Sequence, residues 1–135
     1  MKLTLDDQIK REFAEYVGVP LKAGEITIGT KEDGTLITRP FDLISEDESI
    51  VASVQTSCLH LRSRPGQKAY GSLYRVMGAI LYLHLCTNCS ERYLIMSDRD
   101  MYDEITEDFS NIFKDIKMVF WDDIKKQSYS PAAAP

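Results

Sequence analysis

The chain predicts an α/β fold in which a central mixed sheet carries helices on both faces, with its elements in the order αβββαβαβ. Three observations lead there. An amphipathic helical stretch is followed by three strand-like runs separated by turn residues. The third run, Ile50 to Ser57, is apolar almost throughout, as in a strand covered on both sides. Helical and strand periods then alternate to the end, so the step from the third strand through a helix to the fourth should be a right-handed parallel crossover.

Each element has a local reason. Thr4 with Asp7 three residues on resembles a capping box, and Ile9, Phe13, Tyr16 and Val17 share one face of a helix from Asp6 to Val17. Gly18 and Pro20 end it. Glu25 to Thr30 and Leu36 to Ser45 flank the turn Lys31-Glu32-Asp33-Gly34, an Asp-Gly hairpin signal. Pro40 predicts a free or bulged edge in the second strand. After the loop Arg64-Pro65-Gly66, a second helix is expected over 68–85, apolar almost all round and therefore covered on more than one side. A chain of this size has little with which to wrap such a helix, so a second copy of the protein is the expected cover. Arg92 to Met96 reads as the fourth strand and Lys117 to Trp121 as the fifth. Between them lies a helix over 98–113 capped by Ser97 with Asp100, whose buried face is Met101, Ile105, Phe109, Ile112 and Phe113.

The 135 residues suggest one domain, 1–126, and a disordered tail, 127–135, ending Ser-Pro-Ala-Ala-Ala-Pro. No signal peptide is evident, and the most apolar run, Val76 to Leu85, is about half the ~20 residues a bilayer requires, so a cytoplasmic protein with no membrane partner is expected. The net charge of −5 argues against indiscriminate nucleic-acid binding. The average conceals a basic segment from His60 to Arg75, with Arg62, Arg64, Lys68 and Arg75 and no acid, and an acidic one from Met96 to Asp115.

The stretch from Phe41 to Thr56 carries most of the chemistry. Two antiparallel strands joined by the tip Glu46-Asp47-Glu48-Ser49 put Asp42 opposite Ser53 if the turn centres on Asp47 and Glu48. Side chains alternate, so Ser53 and Gln55 share one face and Ala52, Val54 and Thr56 the other. Asp42, Ser53 and Gln55 then form one polar cluster in an apolar hairpin. An aspartate inside such a strand either belongs to a site or pairs with a cation such as Arg39. Ser53 and Gln55 belong to the same site or form a polar patch beneath the first helix.

The element order and the pattern Phe41-Asp42-Leu43-Ile44 … Val51-Ala52-Ser53-Val54-Gln55 resemble the restriction-endonuclease-like, or PD-(D/E)XK, nuclease superfamily from about Leu5 to Ile124. The resemblance implies an Asp on the second strand, here Asp42. It implies an acid and a lysine two residues apart on the third, here Ser53 and Gln55, and often a Glu from the first helix, here Glu12. The site is therefore degenerate: a serine brings no charge to Mg²⁺, and a glutamine lacks the lysine's positive charge. Asp42 and Glu12 would hold Mg²⁺ weakly at best. The expected function is binding of nucleic acid or a protein partner without efficient cleavage. An active Mg²⁺-dependent nuclease and a purely structural dimerisation module are the alternatives.

Arg62, Arg64, Lys68 and Arg75 follow the third strand, where the resemblance puts the substrate groove, and either clamp phosphates or form a solvated basic loop. Tyr70 and Tyr74 either stack on bases or pack in the core. Cys58, Cys86 and Cys89 are an odd set in a chain without an export signal, which argues against a disulfide framework. Cys86-Thr87-Asn88-Cys89 has zinc-ligand spacing, but a parallel crossover puts Cys58 at the opposite end of the sheet, leaving only a site shared across a dimer.

Overall fold

The computed structural model of the chain describes residues 3–128. Helix α1 (Leu5–Val17) leads into strands β1 (Leu21–Thr30), β2 (Leu36–Ser45) and β3 (Ile50–Gln55). Helix α2 (Tyr70–His84), strand β4 (Glu91–Met96), helix α3 (Arg99–Phe109), strand β5 (Ile116–Phe120) and helix α4 (Trp121–Ser128) follow. The five strands form one sheet in the order β1-β2-β3-β4-β5. The first three run antiparallel, while β3–β4 and β4–β5 are parallel. The mixed sheet and the parallel joining of the third and fourth strands agree with expectation.

The parallel half follows from its crossovers. Strands β3 and β4 are buried on both faces and read as apolar runs, as parallel strands between helical layers must. Phe41, Ile44, Val51, Leu94 and Met96 pack with Val76, Ile80 and Leu83 of α2 and Met101 and Ile105 of α3. On the other face Leu43, Ile50, Ala52, Val54 and Ile95 pack with Ile9 and Phe13 of α1 and Ile124 of α4.

Helix α1 begins where Thr4 Oγ1 accepts the N–H of Asp7 at 3.1 Å. It ends at Gly18, whose φ of 77° lets its N–H reach Ala14 O. The expected free edge at Pro40 is present: β3 pairs with β2 only at Leu43 and Ile44, so Leu36 to Pro40 pair with β1 alone.

Four expectations change. The cap of α3 is Asp98, not Ser97: its Oδ2 accepts the N–H of Met101 and also that of Leu59, both at 3.0 Å, and so ties the segment after β3 to the helix. Helix α3 stops at Phe109, and Ile112, expected inside, is 67% exposed on the turn beyond it. A short helix, α4, occupies 121–128, anchored by the buried Ile124; with Trp121 the only other apolar residue in its sequence, it offers no apolar period to read. Residues 127 and 128, expected in the tail, belong to this helix, and the rest of the expected tail, 129–135, lies outside the described residues. Within the single chain helix α2 is covered on one side, where Val76, Ile80 and Leu83 are buried, whereas Tyr70, Tyr74 and Leu81, on the side where a second copy was expected, are more than half exposed. Among the described residues no helix is long and apolar enough to cross a membrane.

Candidate functional site

The site starts from an irregularity in β2. Lys22 pairs with Ile44 and Gly24 with Phe41, so Ala23 alone faces both Asp42 and Leu43. That two-against-one arrangement is a β-bulge, which bends a strand and re-aims a side chain. Its effect is visible in the core. Phe41 and Ile44 pack on the α2 side although three residues apart, and Leu43 packs on the α1 side.

The pairings Leu43–Ala52 and Ile44–Val51 put Asp42 and Ser53 next in register, as the turn predicted. The ladder stops there. The next β3 donor, Val54 N–H, is taken by Asp42 Oδ2 at 2.7 Å. A carboxylate thus supplies the acceptor that a diverging strand no longer offers. Asp42 Oδ1 lies 3.9 Å from Lys10 Nζ of α1, which also holds Asp6 at 2.8 Å. The hydrogen bond to Asp6, then the charges of Asp6 and Asp42, raise the lysine's pKa above 10.5. The cation beside Asp42 is therefore Lys10, while Arg39 lies over the Tyr82 ring at 5.4 Å.

Ser53 and Gln55 share a face, as alternation requires, and Gln55 Nε2 donates to Ser53 Oγ at 2.9 Å. That face lies beneath α2, not beneath the first helix, because Ala52 and Val54 are the residues that meet α1. Asp42, Ser53 and Gln55 line one groove of about 590 Å³ between the free part of β2 and α2, where Arg75, Gly78 and Tyr82 form the opposite wall. Arg75 is held by donation from Nη1 to Ser57 Oγ at 3.3 Å.

The other expected site residues lie apart. Glu12 is buried on α1, on the face of the sheet opposite Ser53 and Gln55, and its Oε1 has no hydrogen-bond partner. At 100° per residue it stands roughly 160° round the helix from Lys10, the residue that reaches Asp42. Arg62 and Arg64 are exposed on the loop after β3, which closes through a bridge between His60 and Lys68 and the bond from Leu61 N–H to Gln67 O. Arg64 Nη1 donates to Gln67 Oε1 at 3.4 Å, and Lys68 Nζ donates to Glu104 Oε2 on α3 at 2.5 Å. Of the four cations, Arg75 is the one that lines the groove.

These residues do not fit a Mg²⁺ ion. One carboxylate is present in the groove lining, its Oδ2 engaged by Val54 N–H, with an ammonium group beside Oδ1. Among the described residues no three His, Cys, Asp or Glu side chains gather so as to hold a metal. The cysteines are divided as the crossover requires. Cys58 is exposed beyond the end of β3, while Cys86 and Cys89 are buried ahead of β4. Burial, then the neighbouring Cys89 thiol, pushes Cys86 up to about 12, far from the thiolate that zinc needs.

Lys10 and Tyr82 were missed as parts of the site's surroundings. Lys10 had a signal in its i,i+4 spacing from Asp6. Tyr82 had none, since aromatic residues recur all along α2. No protein-family model matches the chain, and no curated protein or solved structure matches it either.

Proposed function

We propose that the chain is a non-cleaving binding module of restriction-endonuclease-like architecture. It takes a phosphate-bearing strand of nucleic acid along the groove of Asp42, Ser53, Gln55 and Arg75. The observation that carries the reading is the engagement of Asp42. Its carboxylate completes the β3 backbone and faces Lys10, and the two adjoining groove positions, Ser53 and Gln55, are neutral. In-line cleavage of a phosphodiester by a metal needs carboxylates free to hold the ion. What supports binding is Arg75 on the wall, with Arg62 and Arg64 on the loop that leaves β3 where Arg75 meets Ser57. Phosphate contacts of this kind give affinity without reading sequence.

The test is fluorescence anisotropy of labelled single- and double-stranded oligonucleotides across a salt series, beside plasmid incubation with Mg²⁺ or Mn²⁺. Salt-sensitive binding is expected. Arg75→Ala and Arg62→Ala should each reduce the log–log salt slope by about 0.7–0.9 for every phosphate the arginine neutralises. No cutting is expected with either ion. Metal-dependent cutting abolished by Asp42→Ala would establish the nuclease reading instead. Absence of both binding and cutting would leave an interaction module, a reading supported by the uncovered face of α2.

A further inference from the structure

The outward side of α2 carries an apolar stripe, flanked by the exposed Arg75 and by His84, which pairs with Asp115 at 3.0 Å. Tyr70, Tyr74, Met77, Leu81 and Leu85 follow one another at spacings of four, three, four and four, which makes one continuous stripe. They are 57%, 62%, 37%, 53% and 37% exposed. Together they leave on the order of 550 Å² of side chain in water, the upper limit for a patch on a monomer. With Tyr82 beside them, at 36%, the area still falls short of the ~800 Å² that each partner buries in a standard interface, so the stripe is the centre of such an interface and its neighbours the rim.

A second observation comes from Gly78, next to Met77 at the middle of the stripe. A Cβ there would meet nothing within 4 Å, so no contact inside the chain calls for glycine. Glycine weakens a helix relative to alanine and is found where a backbone must come close. We infer that a second copy of this chain docks on the stripe, α2 against α2 in antiparallel order about a two-fold axis near Met77 and Gly78.

The occupant follows from the chemistry of the face. The stripe presents no charge, so it suits a partner surface that also has none. The surface beside it, on α3, carries Asp103, Glu104, Glu107 and Asp108 and would be desolvated at a cost. The stripe is also its own complement when reversed. Its aromatics lie in the first half and its aliphatics in the second, so antiparallel pairing sets Tyr74 against the second copy's Leu81 and Tyr70 against its Leu85. Met77 then falls on the second copy's Gly78, where the open space receives it. A parallel pair would instead stack tyrosine on tyrosine and align the helix dipoles. Because Gly78 and Tyr82 also line the Asp42 groove, the second copy stands at that groove's rim.

The test is sedimentation equilibrium of the full chain over a concentration series. Wild type is expected to be a dimer. Leu81→Lys and Tyr74→Glu are each expected to raise the dimer dissociation constant by at least about tenfold, with unchanged far-ultraviolet circular dichroism. The double variant with both changes is expected to recover dimer, because antiparallel order sets each new carboxylate against the other copy's new ammonium group. Parallel order would set like charges together. Gly78→Leu is expected to weaken the dimer as much as Leu81→Lys while remaining folded. A monomeric wild type, or a dimer indifferent to Leu81→Lys and Gly78→Leu, would overturn the inference. Failure of the double variant to recover would overturn its antiparallel order.

Discussion

Asp42 Oδ2 accepts the backbone N–H of Val54 at 2.7 Å, twelve residues away on the neighbouring strand. The bond lies at the β2 bulge, where β2 parts from β3 and the β2–β3 ladder ends. A strand that diverges exposes its neighbour's next donor, and Val54 is buried, so water does not reach that donor freely. A short acidic side chain at the bulge is one of few that can supply the missing acceptor. This gives the aspartate a structural reason to occupy an apolar strand.

Asp42→Ala should therefore destabilise the fold by about 1–3 kcal/mol, the usual cost of leaving a buried donor without a partner. Asp42→Asn keeps an acceptor oxygen and should cost less than half as much. Urea denaturation of the three proteins measures the difference. A carboxylate kept only for binding would give the opposite result, with no loss of stability in either variant.

Two backbone positions make opposite demands. Gly18 holds φ at 77° to close α1, where any side chain is strained, so Gly18→Ala should cost about 1 kcal/mol. Glu48 holds φ at 59° in the turn between β2 and β3 with a side chain already present. Glu48→Gly should relieve that strain and stabilise by up to about 1 kcal/mol, less the entropy glycine adds to the unfolded chain. Thermal unfolding of the two variants should shift in opposite directions.

The same turn explains how much of the site was legible. The tip Glu46-Asp47-Glu48-Ser49 sets the register, so Asp42 could be placed beside Ser53 by counting, and period-two alternation then put Gln55 with Ser53. The bulge could not be counted. It moves Phe41 to the α2 side, and it depends on Ala23 in a strand whose first four residues carry no strand pattern. The side of α1 that meets Asp42 was equally hidden, because Lys10 and Glu12 flank the same Ile9–Phe13 stripe and only the crossing of α1 over the sheet chooses between them. Helix α2 is apolar on every side and has no period, so the sequence does not say which of its faces the chain itself covers.

Acid should act through carboxylates outside the groove, Glu91, Asp47 and Asp33, all held below their ordinary values. Glu91 accepts from Tyr93 OH at 2.6 Å and from Lys117 Nζ at 3.3 Å, and these two bonds hold its pKa below 4.5. Asp47 accepts from Ser49 and Ser45 and is held below 3.8. A pKa depressed by folding adds stability that is present above the unfolded value and disappears as pH falls through the folded one. Unfolding temperature should therefore be level above about pH 5 and fall below it, and Glu91→Gln should flatten that fall. A profile unchanged by Glu91→Gln would show that the tyrosine and lysine contacts do not persist in solution.

Alkali should act through the buried thiols, and the exposed thiol reports on its neighbours. Folding raises Cys86 from 9.0 to about 12, so its protonated form is favoured and its contribution is intact below pH 9.0 and lost between there and about 12. Reactivity follows the same division. Cys58 is exposed, whereas Cys86 and Cys89 are 1% and 4% exposed. At pH 8, iodoacetamide should modify one thiol readily and the other two at least about tenfold more slowly, because those two react only when the structure opens. Partial burial, then the charge of Asp98, raises Cys58, while Arg62 pulls it down. Asp98→Asn removes the charge yet keeps a cap for α3, so it should speed the Cys58 reaction, and Arg62→Ala should slow it. Equal rates in all three proteins would mean that neither Asp98 nor Arg62 stays beside the thiol.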